Sequence, residues 1–298
     1  MDTMKPIKLL PSASRVTAGD LTRSVEGEIC ACDFYVEGSE AGLEVPGGYR
    51  LGGILSIDHH APGTRMAQVI SSANLAIAHV LQCGLPAGQI VINHTDCDSI
   101  LSSGIAAGRL EPADHFGEAA IAADHTGKEN DIADLLQSID DRRDVEFSFS
   151  NLERLLTGHA LDGVAQAPLD TRRRKRKAAE DLVRSGKVST GGGMAFGVLS
   201  EVIDGEFFPE LLPDALVILV ASKFAGTDRW KMKVRLGMAA PEGASLHALD
   251  LQSFDPGYGG RWNAGSNSRA GGTVLIPEDY ADKVRAKLAS WSTPKLDR

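Results

Sequence analysis

In the first half of the chain, short apolar runs alternate with longer stretches in which apolar residues recur every three or four positions. The runs Glu28 to Cys32, Gly53 to Ile57, Gln89 to Ile92 and Ala119 to Ala123 read as strands. Thr64 to Cys83 carries Met66, Val69, Ile70, Ala73, Ile77 and Val80 on one stripe and reads as a helix, stopped by Gly84-Leu85-Pro86. Ser99 to Gly108 reads as a second helix. Strands separated by helices predict an α/β fold, a parallel sheet flanked by helices.

From about Ile132 to Gly186 the pattern turns polar and helical, and it contains the run Arg172-Arg173-Arg174-Lys175-Arg176-Lys177. Such a run is ordinarily a solvated helix face, and without interleaved aromatics that reading outweighs a phosphate or nucleic-acid contact. Ser189-Thr190-Gly191-Gly192-Gly193 then reads as a flexible joint. The expected organisation is residues 1–188 as one domain, with a helical linker over about 132–188, and residues 189–298 as a smaller α/β domain. In the latter, Met194 to Leu199, Ala215 to Ala221, Trp230 to Leu236 and Thr273 to Ile276 read as strands, and Ser245 to Gln252 and Tyr280 to Trp291 as helices. Between them lies a glycine-rich segment from Gly257 to Gly272. No internal repeat is evident.

Composition narrows the possibilities. With 298 residues, 43% of them hydrophobic, the chain can bury one or two cores, which excludes a disordered chain and a disulfide-stapled mini-protein. Lys plus Arg number 31 against 40 for Asp plus Glu, so the net charge is -9 and the average surface repels nucleic-acid phosphates. Aromatics at 5% disfavour a base-stacking surface. No apolar run nears the roughly 20 residues of a bilayer span, and the N-terminus lacks a signal-peptide core, so a soluble, cytoplasmic protein with no membrane partner is expected. The cysteines Cys30, Cys32, Cys83 and Cys97 form no CxxC zinc pattern and read as reduced core thiols.

Four segments, each following a predicted strand, concentrate the chemistry: Asp33, Asp58-His59-His60, His94-x-Asp96-x-Asp98 and Asp124-His125. Side chains just past the carboxyl ends of parallel strands converge although distant in sequence. In extended geometry His94, Asp96 and Asp98 point to one side of the chain. Carboxylates mixed with imidazoles suit Mn, Mg, Fe, Co or Zn, and a crowd of carboxylates is better neutralised by two cations than one. Taken singly, Asp98 or Ser99 could merely cap a helix and Asp124 or Thr126 hold a turn. The pair His59-His60 is hard to explain as packing. His79, His115, His159 and His247 lie away from predicted strand ends and read as ordinary histidines.

Ile54 to His60, ILSIDHH, resembles the signature of the DHH phosphoesterase superfamily, and GGRWNAGSNSRAGG resembles the glycine-rich loop of the DHH-associated C-terminal domain. Asp33 resembles that family's lone-Asp motif and Asp124-His125-Thr126-Gly127 its last motif. His94-x-Asp96-x-Asp98-Ser99 resembles its first, yet follows the Asp-His-His, as in a circular permutation. Taken instead as a modified last motif, it leaves the first motif missing and one metal weakly held.

The resemblance implies two cations, Mn2+ first with Mg2+ or Co2+ as alternatives, bridged by Asp33. His94 and Asp96 would hold one, and Asp98, His59 and Asp124 the other. Asp58 and His60 would be catalytic, with His60 facing the substrate phosphate. Arg261 and Arg269, set among Gly259, Gly260 and their neighbours, could clamp a phosphate, and Trp262 could stack on a base or pack in the core. The expected function is hydrolysis of a small phosphorylated substrate, a short oligoribonucleotide, dinucleotide or nucleoside phosphate, by two-metal activation of water. Long nucleic acid is disfavoured and a homodimer is left open. The alternative is a non-catalytic ligand-binding or regulatory protein with an incomplete metal site.

Overall fold

The computed structural model describes residues 4–13, 16–60 and 69–289. By internal contacts the chain divides into two compact units, Met1–Asp124 with Lys128–Arg173, and His125–Gly127 with Arg174–Arg298. The first unit opens with β1 (Ile7–Leu9), β2 (Val16–Thr17), α1 (Ala18–Ser24), β3 (Ile29–Cys32), β4 (Val36–Glu37), β5 (Leu43–Val45), β6 (Gly48–Leu51) and β7 (Ile54–Ile57). It continues through α2 (Ser72–Cys83), β8 (Gln89–Ile92), α3 (Cys97–Ala106), α4 (Asp114–Ile121), α5 (Asp131–Ile139), α6 (Val145–Leu156) and the first half of α7 (Gly163–Arg184).

Its six-stranded sheet has the order β1-β8-β3-β7-β6-β5. The first four strands pair in parallel, and the β7–β6 and β6–β5 pairings are antiparallel. Strand residues alternate between two buried layers: Cys30, Cys32, Leu55, Ile57, Ile90 and Ile92 face a core shared with α2 to α6, while Ile29, Ala31, Ile54 and Val91 face the core that holds Leu21 of α1. Burial on both faces is why these strands read as continuous apolar runs. It also puts Cys30 and Cys32 on one face, their Sγ atoms 3.8 Å apart. Cys97 is buried too, but Cys83, at the end of α2, is exposed, so the core assignment fails for that thiol.

The second unit holds the rest of α7, then β9 (Val188–Gly191), β10 (Met194–Leu199), β11 (Val217–Lys223), β12 (Trp230–Leu236), β13 (Gly259–Gly260), β14 (Ala264–Ser266) and α8 (Pro277–Leu288). The sheet order is β13-β14-β12-β11-β10-β9, with β10 and β11 parallel and the other pairs antiparallel.

Several sequence expectations need correction. Ala119 to Ala123 is helical: α4 covers Asp114–Ile121 and a π turn, Ala122–Thr126, follows. Phe116, Ala119, Ala120 and Ala123 are buried at helical spacing, and alanine is the best helix former, so a compact apolar run misled as to period. The supposed joint at Ser189 to Gly193 is instead the β9–β10 hairpin, with Gly192 and Gly193 at positive φ. Ser245 to Gln252 forms two 3-10 turns. Thr273 to Ile276 makes only an isolated bridge, Thr273 to Trp230. Within the described residues α2 starts at Ser72, and the stretch 61–68 and residue Trp291 lie outside them.

Several residues of the basic run are taken up by partners outside α7. Arg172 pairs with buried Asp134 at 2.9 Å and Arg173 with Asp131 at 2.6 Å, while in the second unit Lys175 pairs with Asp204 at 3.2 Å. Arg176 donates to the Gly127 carbonyl and lies over the Phe207 ring. These pairings favour the helix-face reading.

Candidate metal centre

Three neighbouring parallel strands, β8, β3 and β7, deliver the cluster from their carboxyl ends, and the π turn after α4 delivers Asp124. A π turn inserts one extra residue into a helix and is frequent at functional sites. Asp33 stands at the middle with φ 59°, a left-handed conformation that Asp tolerates better than most residues with a side chain. Its Oδ1 lies 3.6 Å from His59 Nε2 and 3.8 Å from His60 Nδ1; its Oδ2 lies 3.1 Å from His94 Nε2. His59 Nε2 is also 3.7 Å from Asp98 and 3.4 Å from Asp124, and His94 Nε2 is 3.3 Å from Asp96. Side chains with ligand atoms mutually within 4.8 Å form the sets Asp33-His94-Asp96, His59-Asp98-Asp124 and Asp33-His59-His60. All six residues expected to hold metal are thus brought together.

Asp58 is outside these sets. Its Oδ1 accepts a 2.7 Å hydrogen bond from His60 Nδ1, and its Oδ2 is buried with no hydrogen-bond partner among the described residues. Asp58 therefore orients His60. At 15% side-chain exposure His60 is the more accessible of the adjacent pair, since His59 is 3% exposed.

The residues around the cluster set the imidazole tautomers. His59 Nδ1 donates to the Ile70 carbonyl at 2.7 Å, and His94 Nδ1 to Asn93 Oδ1 at 2.6 Å. Asn93 is itself held by its amide donating to the Ala13 carbonyl. With Nδ1 committed as donor, each neutral ring turns an Nε2 lone pair toward carboxylate oxygens. His94 Nε2 is buried and meets no hydrogen-bond geometry, close as it is to two carboxylates. A lone pair facing carboxylates is repulsive unless a proton or a cation lies between them, so this donor set fits divalent cations.

The same crowding governs the protons. Burial pushes the imidazoles of His59 and His94 down, but facing carboxylates push harder, raising them to about 10 and about 11. Burial pushes Asp33 up, but the three imidazoles hold it well below the ordinary carboxylate range. Asp98 goes the other way, raised by burial and then by the charge of Asp33.

Sequence reasoning missed the supports. Ser72 Oγ donates to Asp33 Oδ1 at 2.9 Å and Ser99 Oγ to Oδ2 at 2.7 Å. The amides of Ser72 and Ala73, opening α2, both donate to Asp98 at 2.7 Å, and Ser71 caps the amide of Asn74. Asp96 caps α3 through Oδ1 and keeps Oδ2 toward His94. The Ser71-x-x-Asn74 capping signal is readable in the sequence, although the bond from the next residue, Ser72, to Asp33 is not.

In the second unit, Arg261 lies at the turn between β13 and β14 and Arg269 in a 3-10 turn past the far end of β14, both exposed. Gly260 is required sterically: a Cβ there would stand 2.2 Å from the Gly265 backbone. Trp262 is buried, its ring 5.9 Å from that of His125. His79 bonds the Pro46 carbonyl, His159 bonds Thr157 and His247 approaches the Gly260 carbonyl, while His115 packs on Phe116, so these four stay outside the cluster.

No protein-family profile and no curated protein matches the sequence. Among solved structures, the chain is similar to a pGpG-specific phosphodiesterase, PggH, from Vibrio cholerae, at 11% identity and a TM-score of 0.41, over 81% of this chain and 80% of that one. It is also similar to an exopolyphosphatase-related protein from Bacteroides fragilis, at 14% identity and a TM-score of 0.38, over 90% of this chain and 72% of that one. Overlaps this loose assign no activity, which has to come from the site.

Proposed function

We propose that the protein is a metal-dependent phosphoesterase of the DHH type that hydrolyses a small phosphorylated substrate with two divalent cations, Mn2+ first among them. One observation carries the reading: the two oxygens of a single buried carboxylate, Asp33, face two separate acid and imidazole sets. Asp33, His94 and Asp96 would hold one cation, and Asp33, His59, Asp98 and Asp124 the other.

When bound, such ions act as Lewis acids that lower the pKa of water and neutralise charge on a phosphoryl group. The chain's own residues supply the rest. Asp58 fixes the ring of His60 through Nδ1, and His60 holds or gives the proton at the leaving oxygen. The Nδ1 bonds of His59 and His94 keep both rings from turning away. Arg261 and Arg269, with the backbone of Gly259 and Gly260, are the proposed contacts for the substrate's anionic group. Short oligoribonucleotides, dinucleotides and nucleoside phosphates are the substrate classes to screen.

The test is hydrolysis of an aryl phosphate and of a dinucleotide by chelator-stripped protein, with and without Mn2+. Activity is expected only with the metal, and Asp33→Asn should lose it. Full activity in the stripped protein, or in Asp33→Asn, overturns the proposal.

A further inference from the structure

We infer that Ser72 and Ser99 apportion the Asp33 carboxylate between the two cation sites, Ser72 governing the His59 side and Ser99 the His94 side. The inference rests on the two-cation reading above. Both serines are fully buried, and each hydroxyl donates to a different Asp33 oxygen, Ser72 to Oδ1 and Ser99 to Oδ2.

The amide of each serine, and the second bond of the Ser72 hydroxyl, lie on the same side as its Asp33 oxygen. The Ser72 hydroxyl accepts from the His59 amide at 3.3 Å, and the Ser72 amide donates to Asp98. The Ser99 amide donates to Asp96 Oδ1, which leaves Asp96 Oδ2 facing His94. A carboxylate turns easily about its last side-chain bond, a broad two-fold torsion. Two hydroxyls, one per oxygen, fix its plane so that neither side can claim both oxygens.

The two sides also differ in depth. His59 and Asp98 are at most 3% exposed, whereas the side chains of His94 and Asp96 are 25% and 16% exposed. Counting Asp33, the inner side offers four donors and the outer three. The inner site is therefore the tighter, and the serines are positioning residues that set the two affinities separately. Ser103, also buried on α3, is a built-in control, because its hydroxyl bonds the carbonyls of Ser99 and Ile100 in its own helix.

The experiment is calorimetric titration of chelator-stripped, full-length protein with Mn2+, alongside the electron paramagnetic resonance of free Mn2+. Wild type should take up two ions with distinct affinities. Ser99→Ala should weaken the outer site by about 10–100-fold and Ser72→Ala the inner site by a similar factor, the usual effect of losing a partner that orients a ligand. Ser103→Ala should leave both sites unchanged, and Ser99→Thr, which keeps the hydroxyl, should restore the outer one. Should Ser72→Ala not fold, Ser99→Ala and Ser99→Thr still decide the matter. Two wild-type sites that respond to neither serine, or respond equally to both, overturn this inference alone. A wild-type protein that takes up no ion overturns the proposed function and this inference with it.

Discussion

Loading the metal-free protein with a divalent cation should expel about two protons at neutral pH. His59 and His94 are raised to about 10 and about 11, so near pH 7.5 both rings carry the proton that balances their carboxylate neighbours. A cation needs the bare Nε2, so each ring must release its proton on binding. In the metal-free fold these raised values add stability that is complete below the ordinary imidazole value near 6.5 and is lost as pH rises through 10 and 11. Metal affinity runs the opposite way and should climb with pH, by up to about tenfold per unit at each site while its one imidazole proton is displaced. The assay is Mn2+ calorimetry in buffers of differing ionisation enthalpy, where the slope of observed heat against buffer enthalpy counts the protons. A slope near zero, with binding intact, would refute the reasoning that protons now stand where cations belong.

Three further outcomes follow from particular contacts. Asn93→Ala removes the acceptor that fixes the His94 ring and should lower Mn2+ affinity by about 10–100-fold; unchanged affinity in a titration would count against it. Gly127→Ala puts a Cβ 1.7 Å from the Glu206 carbonyl at φ +70° and should cost at least 1–3 kcal/mol of stability, roughly, in denaturant unfolding. Tyr258 and Tyr280, held above the usual tyrosine range by burial and then by the charge of Asp255, should stay neutral past pH 10. Folding stability falls there as unfolded tyrosines ionise, so their 295 nm signal should appear only with alkaline unfolding, and its appearance in folded protein would exclude the shift.

The strands that build the cluster were legible because burial on both faces makes β3, β7 and β8 unbroken apolar runs, each ending at an acid or imidazole. The edge strand β1, three residues with Lys8 in the middle, gives no such run and passed unnoticed, although it lies beside β8. Asp124 reaches its neighbours from a π turn and not from the strand end that the apolar run predicts. Ser72 and Asn93 stayed invisible as participants, because a hydroxyl or an amide acquires its partner only when distant strands and helices meet.

The grip of α2 on Asp98 bears on how the site can be dissected. The first two amides of that helix are satisfied by a carboxylate more than two dozen residues further along the chain, and the third by Ser71. Replacing Asp98 therefore unmoors the start of a helix as well as removing a metal donor, and an inactive variant there would report on folding as much as on catalysis. Asp96 also caps a helix, but through one oxygen and within its own turn, so an exchange to Asn there leaves a competent cap. Of the two acids at the start of α3, it is the one whose loss can be read as chemistry.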